Sequence, residues 1–174
     1  MEAEIDSGEG TIGAVHDPAE DDEFRLELLT LAEWALIAPD GRISLGNALT
    51  TTVQVPALPG GLPPLYLVAS VAAPPPWAGH QAALTVRAVD AEGRPLAADP
   101  LLSGTAAFPP AAEGAAVTPR LQFAIQISGL PVQRPGRVRF IVALAGDELG
   151  ELGVEVRLAP PPPPQSQPPP PTPA

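Results

Sequence analysis

Apolar and polar residues alternate with period two through short runs between residues 28 and 158, and the runs are separated by Gly, Pro and Asp. Period-two alternation bounded by turn residues predicts β-strands. The most distinctive stretch runs from Leu28 to Val55. Leu28 to Ala38 reads as one strand, Pro39-Asp40-Gly41-Arg42 as a turn, and Ile43 to Val55 as a second strand. Asp-Gly between two apolar runs predicts a type I′ hairpin, because that turn needs positive φ at both central residues. Pairing across Asp40-Gly41 sets Ala38 opposite Ile43, Leu36 opposite Leu45 and Trp34 opposite Asn47. Trp34, Leu36, Ile43 and Leu45 then share a buried face, as a register pinned by burial requires. A competing reading makes Asp21 to Glu33 a helix, acidic at its start and ended by Pro39. The in-register Asp-Gly turn favours the strand.

Further along, Pro56 to Pro64 is a loop and Leu65 to Ala72 a buried strand with Tyr66 and Ser70 as its only polar side chains. Pro74-Pro75-Pro76-Trp77-Ala78-Gly79-His80 is a second loop. Ala82 to Val89 is a strand with Leu84, Val86 and Ala88 inward, followed by a turn at Asp90-Ala91-Glu92-Gly93. Prolines break residues 98–119 repeatedly, leaving only short strand pieces near Leu101 and Phe108. Leu121 to Ile127, Val138 to Leu144 and Leu152 to Leu158 complete the set. The core positions of the last two strands are all even-numbered, so their loop must hold an odd number of residues or a bulge. A three-residue loop, Gly146-Asp147-Glu148, pairs Val142 with Leu152 and Phe140 with Val154. It sets Arg139 against Glu155 on the outer face.

These runs predict an all-β fold: a single immunoglobulin-like or C2-like antiparallel β-sandwich of about seven or eight strands, spanning 25–159. Charge supports the boundaries. Residues 1–27 hold ten acids against one arginine, whereas 28–174 hold ten acids against eight. The stretch 1–24 is acidic and aperiodic, the composition of a disordered tail. Residues 160–174 belong to a Pro-rich tail expected to be extended and unpacked. With only seven aromatic residues in the chain, aliphatic side chains must supply most of the core.

The stretch Leu28-Leu29-Thr30-Leu31-Ala32-Glu33-Trp34-Ala35, followed by Pro39-Asp40-Gly41-Arg42-Ile43-Ser44-Leu45-Gly46, resembles the opening of a bacterial family of unknown function. Its members have an L-x-L-A-(D/E)-x-A strand, a D-G turn and a second strand reaching a glycine. The segments Leu84 to Pro95 and Pro135-Gly136-Arg137-Val138-Arg139-Phe140 are similar to later parts of the same family. The resemblance covers Leu26 to Leu158. It implies a small β-sandwich and carries no activity, cofactor or catalytic residue.

Chemistry is sparse. Of the two histidines, His16 falls in the acidic tail and His80 in a Pro-rich loop, and no nucleophile motif surrounds Ser103 or Ser128. The acid pairs Asp90/Glu92 and Asp147/Glu148 sit in turns, where such residues are ordinary turn chemistry. With no cysteine and no paired histidine, a transition-metal site is not expected. Nor is any other metal or cofactor, and no catalytic residue is assigned. Dispersed arginines on an acidic chain disfavour nucleic acid. No apolar run approaches the roughly 20 residues that span a bilayer. The acidic start Met1-Glu2-Ala3-Glu4 is unlike a secretory signal, and the expected location is cytoplasmic.

Tyr66, Trp77 and His80 are the candidate partner-binding residues, because Trp and Tyr offer large contact area at low entropic cost. The alternative for Trp77 is closure of one end of the core. The expectation is a non-catalytic interaction or accessory module with an unidentified protein partner. A small-ligand or carbohydrate-binding module using the loop around Trp77 and His80 is the alternative. Strand-edge pairing leaves a homo-oligomer open.

Overall fold

The computed structural model of the chain describes residues 23–48, 51–110 and 118–161. The acidic segment with His16, nearly all of the Pro-rich segment and residues 111–117 lie outside the described residues.

Among the described residues the chain forms twelve strands and one 3₁₀ turn at Pro75–Trp77, with no α-helix. The strands are β1 (Arg25–Ala32), β2 (Trp34–Ile37), β3 (Ile43–Gly46), β4 (Thr52–Val55), β5 (Gly60–Gly61) and β6 (Leu65–Ala72). They continue with β7 (Gln81–Val89), β8 (Leu102–Ala107), β9 (Arg120–Ile127), β10 (Pro131–Val132), β11 (Gly136–Leu144) and β12 (Asp147–Leu158). The all-β class is as expected, but the count exceeds seven or eight. The surplus lies in two ribbons, β2–β3 and β5–β10, whose strands of two to four residues are too short to display a period.

Two larger sheets carry the fold. One has the order β1-β6-β9, the other β4-β12-β11-β7-β8. All pairings in them are antiparallel except β4 with β12, which is parallel. Leu31, Leu67 and Val71 of the first sheet join Val86, Phe140, Val142, Val154 and Val156 of the second in one buried cluster. Each fully buried side chain of this kind contributes about 1.5–3 kcal/mol relative to exposure. Apart from Phe140 and Phe108, the fully enclosed part of that cluster is aliphatic.

The opening stretch is β-structure as favoured, but its two expected strands are each divided. Leu28 to Ala38 is not one strand, because the chain turns at exposed Glu33 and β2 leaves the sheet that holds β1. Ile43 to Val55 likewise divides into β3 and β4, which belong to different sheets. The segment read alternatively as a helix is strand β1 from Arg25 onward.

The hairpin register is also displaced by one residue: Ile37 faces Ile43, Leu36 faces Ser44 and Trp34 faces Gly46. Pro39 is the cause. It has no N–H to donate across a two-residue loop at Asp40-Gly41, and its ring holds φ near −65°, which suits the first central position of a type I turn. The chain instead makes a turn over Ala38–Gly41, with the Gly41 amide donating to the Ala38 carbonyl at 2.9 Å. Gly41 alone takes positive φ, at 80°, as the extra residue of a bulge. Arg42 donates from its amide (3.1 Å) and Nε (2.7 Å) to the Asp40 carboxylate.

One residue of slip inverts both faces of a ribbon. Trp34 and Leu36 are therefore exposed, at 52% and 60%, where burial was expected. Ala35, Ile37, Ile43 and Leu45 are half-buried instead. They turn toward the outer surface of β6 and β9, which the ribbon covers as a third layer. Thr30, Val68 and Ser70, on that outer surface, are 2%, 0% and 5% exposed. The ribbon tip lies on β9: a Cβ at Gly41 would stand 3.4 Å from Gln122 Oε1.

The last hairpin keeps its expected inner face but slides by two residues. Phe140 faces Leu152, Val138 faces Val154 and Arg137 faces Glu155. Arg139 consequently pairs with Glu151, Nη1 to Oε2 at 2.8 Å, and not with Glu155. The loop is a two-residue turn at Ala145 (φ 54°) and Gly146 (φ 101°), and a bulge between Val142 and Ala143 supplies the odd residue. Positive φ at two adjacent residues, expected at Asp40-Gly41, occurs here. Leu158, expected inward, is 55% exposed at the end of β12.

Candidate functional site

Among the described residues, three surfaces gather the candidate side chains, and the strand directions place them. β6 runs from Leu65 to Ala72 and β1 antiparallel to it, so Phe24 and the 75–80 loop share one end of the molecule. Ala32, Tyr66, Gly60–Gly61 and the loop after Ile127 share the other.

At the first end Trp77 is half-buried among aromatic rings. Its ring centroid lies 4.8 Å from Phe24 and 6.3 Å from Phe108, which is itself 2% exposed. The exposed ring of His80 stands edge-on to it at 6.4 Å. The loop is tied down by backbone bonds, His80 N–H to Trp77 at 3.0 Å and Phe108 N–H to the His80 carbonyl at 2.9 Å. Trp77 and His80 are thus brought together. Tyr66 is not with them: it lies half-buried near the start of β6, six residues from Ala72, or roughly 20 Å along the strand.

At the other end a cleft of about 480 Å³ lies between the turn after β7 and the loop leading into β11. Asp90, Glu92, Arg94, Arg134 and Arg137 are its charged lining. Asp90 organises the turn. Its Oδ1 accepts from the amides of Glu92 (3.0 Å) and Arg94 (2.9 Å), and its Oδ2 accepts from Arg94 Nε at 2.7 Å. The Arg94 side-chain bond leads in holding the Asp90 carboxyl down at about 2, with the two amide bonds adding to it. Glu92 accepts from Arg94 Nη2 at 2.9 Å and also from Arg134. Arg137 makes no ion pair among the described residues, and its guanidinium lies over Gly153, where a Cβ would stand 2.3 Å from Nε. Sequence reasoning missed this network. Its signal was Asp90 four residues before Arg94, with Gly93 at φ 81° forming the same bulged turn as Gly41.

The third surface is the outer face of β2–β3. The Trp34 indole is laid flat on Gly46, where a Cβ would come 1.7 Å from Nε1. Exposed Leu36 and Ser44 continue the face along the ribbon. Beside them Asn47, at φ 48°, donates from Nδ2 to Glu33 Oε2 at 2.6 Å. No group of three or more His, Cys, Asp or Glu among the described residues is arranged to hold a metal ion.

The model of a family described as "Family of unknown function (DUF6941)" matches residues 27–157. The chain belongs to that family. The DUF6941 match begins inside β1 and ends inside β12, so it takes in the Trp34 face and the charged cleft but not Phe24. No curated protein matches the sequence. A solved structure similar to this DUF6941 chain is Pseudomonas fluorescens alkylpurine DNA glycosylase AlkC bound to DNA containing an abasic site analog. Identity is 17% and the TM-score 0.39, over 78% of this chain and 30% of that one. The DUF6941 chain thus spans under a third of the glycosylase chain, and a likeness at that score carries nothing about fold or function. Among the described residues, no helix is long and apolar enough to cross a membrane.

Proposed function

We propose that the protein is a non-catalytic, cytoplasmic interaction module that receives an extended segment of a protein on the outer face of its β2–β3 ribbon. The observation that carries this is the exposure of Trp34 and Leu36 on one face of the paired β2–β3 ribbon. A flat aromatic with an aliphatic neighbour is the kind of anchor that dominates binding energy at protein interfaces. The strand order supports an immunoglobulin-like sandwich as the scaffold. β1-β6-β9 and β4-β12-β11-β7-β8, with β4 parallel to β12, correspond to A-B-E and A′-G-F-C-C′ of that fold, the ribbon being inserted between A and A′.

The loop of Trp77 and His80 is the weaker surface for a partner or a sugar. Phe24 and Phe108 already pack against the Trp77 ring, which leaves less of it to offer. Affinity capture with the full chain, compared with a Trp34→Ala/Leu36→Ser variant, tests the reading. The expected result is a partner recovered by the first and lost by the second. Equal recovery by both, or loss only with Trp77→Ala, would overturn it.

A further inference from the structure

The Trp34–Leu36 face lies at the end of the molecule from which the C-terminal segment departs. Trp34 follows Ala32, which pairs with Tyr66 at the start of β6. β12 runs parallel to β4 toward that same end, where Leu158 pairs with Val55 and the Ala159 amide donates to the Val55 carbonyl at 2.8 Å. Beyond Pro161 the sequence continues for thirteen residues, including Pro162–Pro164 and Pro168–Pro171.

We infer that Pro168–Pro171 docks on the Trp34–Leu36 face of its own chain. This rests on the reading of that face as a receptor for an extended segment, and names the segment. Proline runs adopt polyproline II, rising about 3.1 Å per residue without internal hydrogen bonds, and are recognised by stacking on exposed aromatic rings. From β12 the segment must pass the β1-β6-β9 sheet and reach the outside of the ribbon. Those are two layer spacings of about 10 Å each. About seven residues at ~3.1 Å cover that distance, which brings Pro168 to the ribbon.

Charge and position favour this segment over the acidic one at the other terminus. Residues 162–174 carry no charged side chain, whereas the acidic segment would approach Glu33 and Asp40 beside the face. The acidic segment also joins the fold at Phe24, at the opposite end of the molecule. Tethering then makes a weak contact sufficient. A short linker gives an effective concentration of about 1 mM, so an intrinsic affinity near that value already occupies the face in half of the molecules.

The chain has no cysteine, so a nitroxide can be placed uniquely by Thr172→Cys in the full-length protein. In the ¹⁵N-labelled chain, the Trp34 indole N–H and the Leu36 and Ser44 amides should broaden beyond detection. The Trp77 indole should be unaffected. Adding Trp34→Ala, or changing Pro168, Pro169, Pro170 and Pro171 to Ser, should return Leu36 and Ser44 to the level of Ser128 and Leu130, which lie at the same end but off the face. Broadening of the face no greater than that of Ser128 and Leu130, or indifferent to Trp34→Ala, would overturn the inference. So would broadening that arises only when a spin-labelled chain without ¹⁵N is mixed with ¹⁵N chain, which would assign the contact to a second copy. If broadening fails while the Trp34→Ala/Leu36→Ser variant still loses its captured partner, the face is a receptor for a foreign segment and only the self-docking is wrong.

Discussion

Trp34 and Gly46 form a pair in which each explains the other. The indole lies flat because residue 46 has no Cβ, and any side chain there would occupy the space of Nε1. Gly46→Ala should therefore swing the exposed indole outward, shifting the Trp34 indole N–H resonance while leaving that of Trp77 in place. The accompanying stability loss in urea should be about 1 kcal/mol, the upper size of a cross-strand pair. Asp90 couples its ionisation to the turn it organises. Its carboxyl titrates at about 2 in the fold against an ordinary value of 3.8, chiefly because Arg94 donates to it. A depressed carboxyl stabilises the fold above its unfolded value and loses that contribution as pH falls through the folded one. Asp90→Asn should thus lower the urea midpoint relative to the native chain at neutral pH. The difference should close as pH falls from about 4 to 2. Glu27, held low first by its bond to Arg120 and then by Arg25, adds acid sensitivity of the same sign across β1 and β9.

Elements show how a local signal can be right in kind and wrong in register. Asp40-Gly41 does mark a hairpin, and Gly41 does need positive φ. Pro39 selects the bulged form of the turn, and that single extra residue moves Trp34 and Leu36 from the inside to the outside. Gly41→Ala places an L side chain at φ 80°, as Gly93→Ala does at 81°. Each should cost about 1–2 kcal/mol in denaturant unfolding. Only the first should also raise hydrogen exchange at Val68 and Ser70, because only that turn anchors the covering ribbon. The β11–β12 hairpin follows the same logic in reverse. Parity required an odd residue, and the bulge beside Val142 provides it, so the inner faces match while the pairings from Gly136 to Val142 slide by two.

At the scale of the whole molecule, stability rests on one cluster shared by two sheets. Phe140 is fully buried on the central strand β11, between β12 and β7. Phe140→Ala should cost about 3–5 kcal/mol, a large part of the total stability of a domain this size, measurable as a fall in the thermal or urea midpoint. Arg139→Ala, one residue away on the outer face and paired with Glu151, should cost at most ~1 kcal/mol. The two ends of the molecule also differ in kind. One is closed by Phe24, Trp77 and Phe108, and the other is open and charged around Asp90, Glu92 and Arg134.

The candidate site was legible only in part. The placement of Trp77 and His80 together in one loop could be read from the prolines around them, but the packing of Phe24 against Trp77 depends on a contact more than fifty residues away in sequence. Trp34 was misassigned because its exposure turns on a parity that Pro39 alters and that only the paired strands reveal.

By itself the sequence determined the all-β class, the position of β6, β7, β9, β11 and β12, and the inward faces of β7, β11 and, short of Leu158, β12. Alternation and turn chemistry are local, and burial of one face enforces them. Tertiary structure decided which strands share a sheet, the parallel pairing of β4 with β12, and the folding of the β2–β3 ribbon over Val68. Those choices are made by contacts between residues far apart along the chain. They leave Trp34 and Leu36 outward, on the face where the function is proposed to lie.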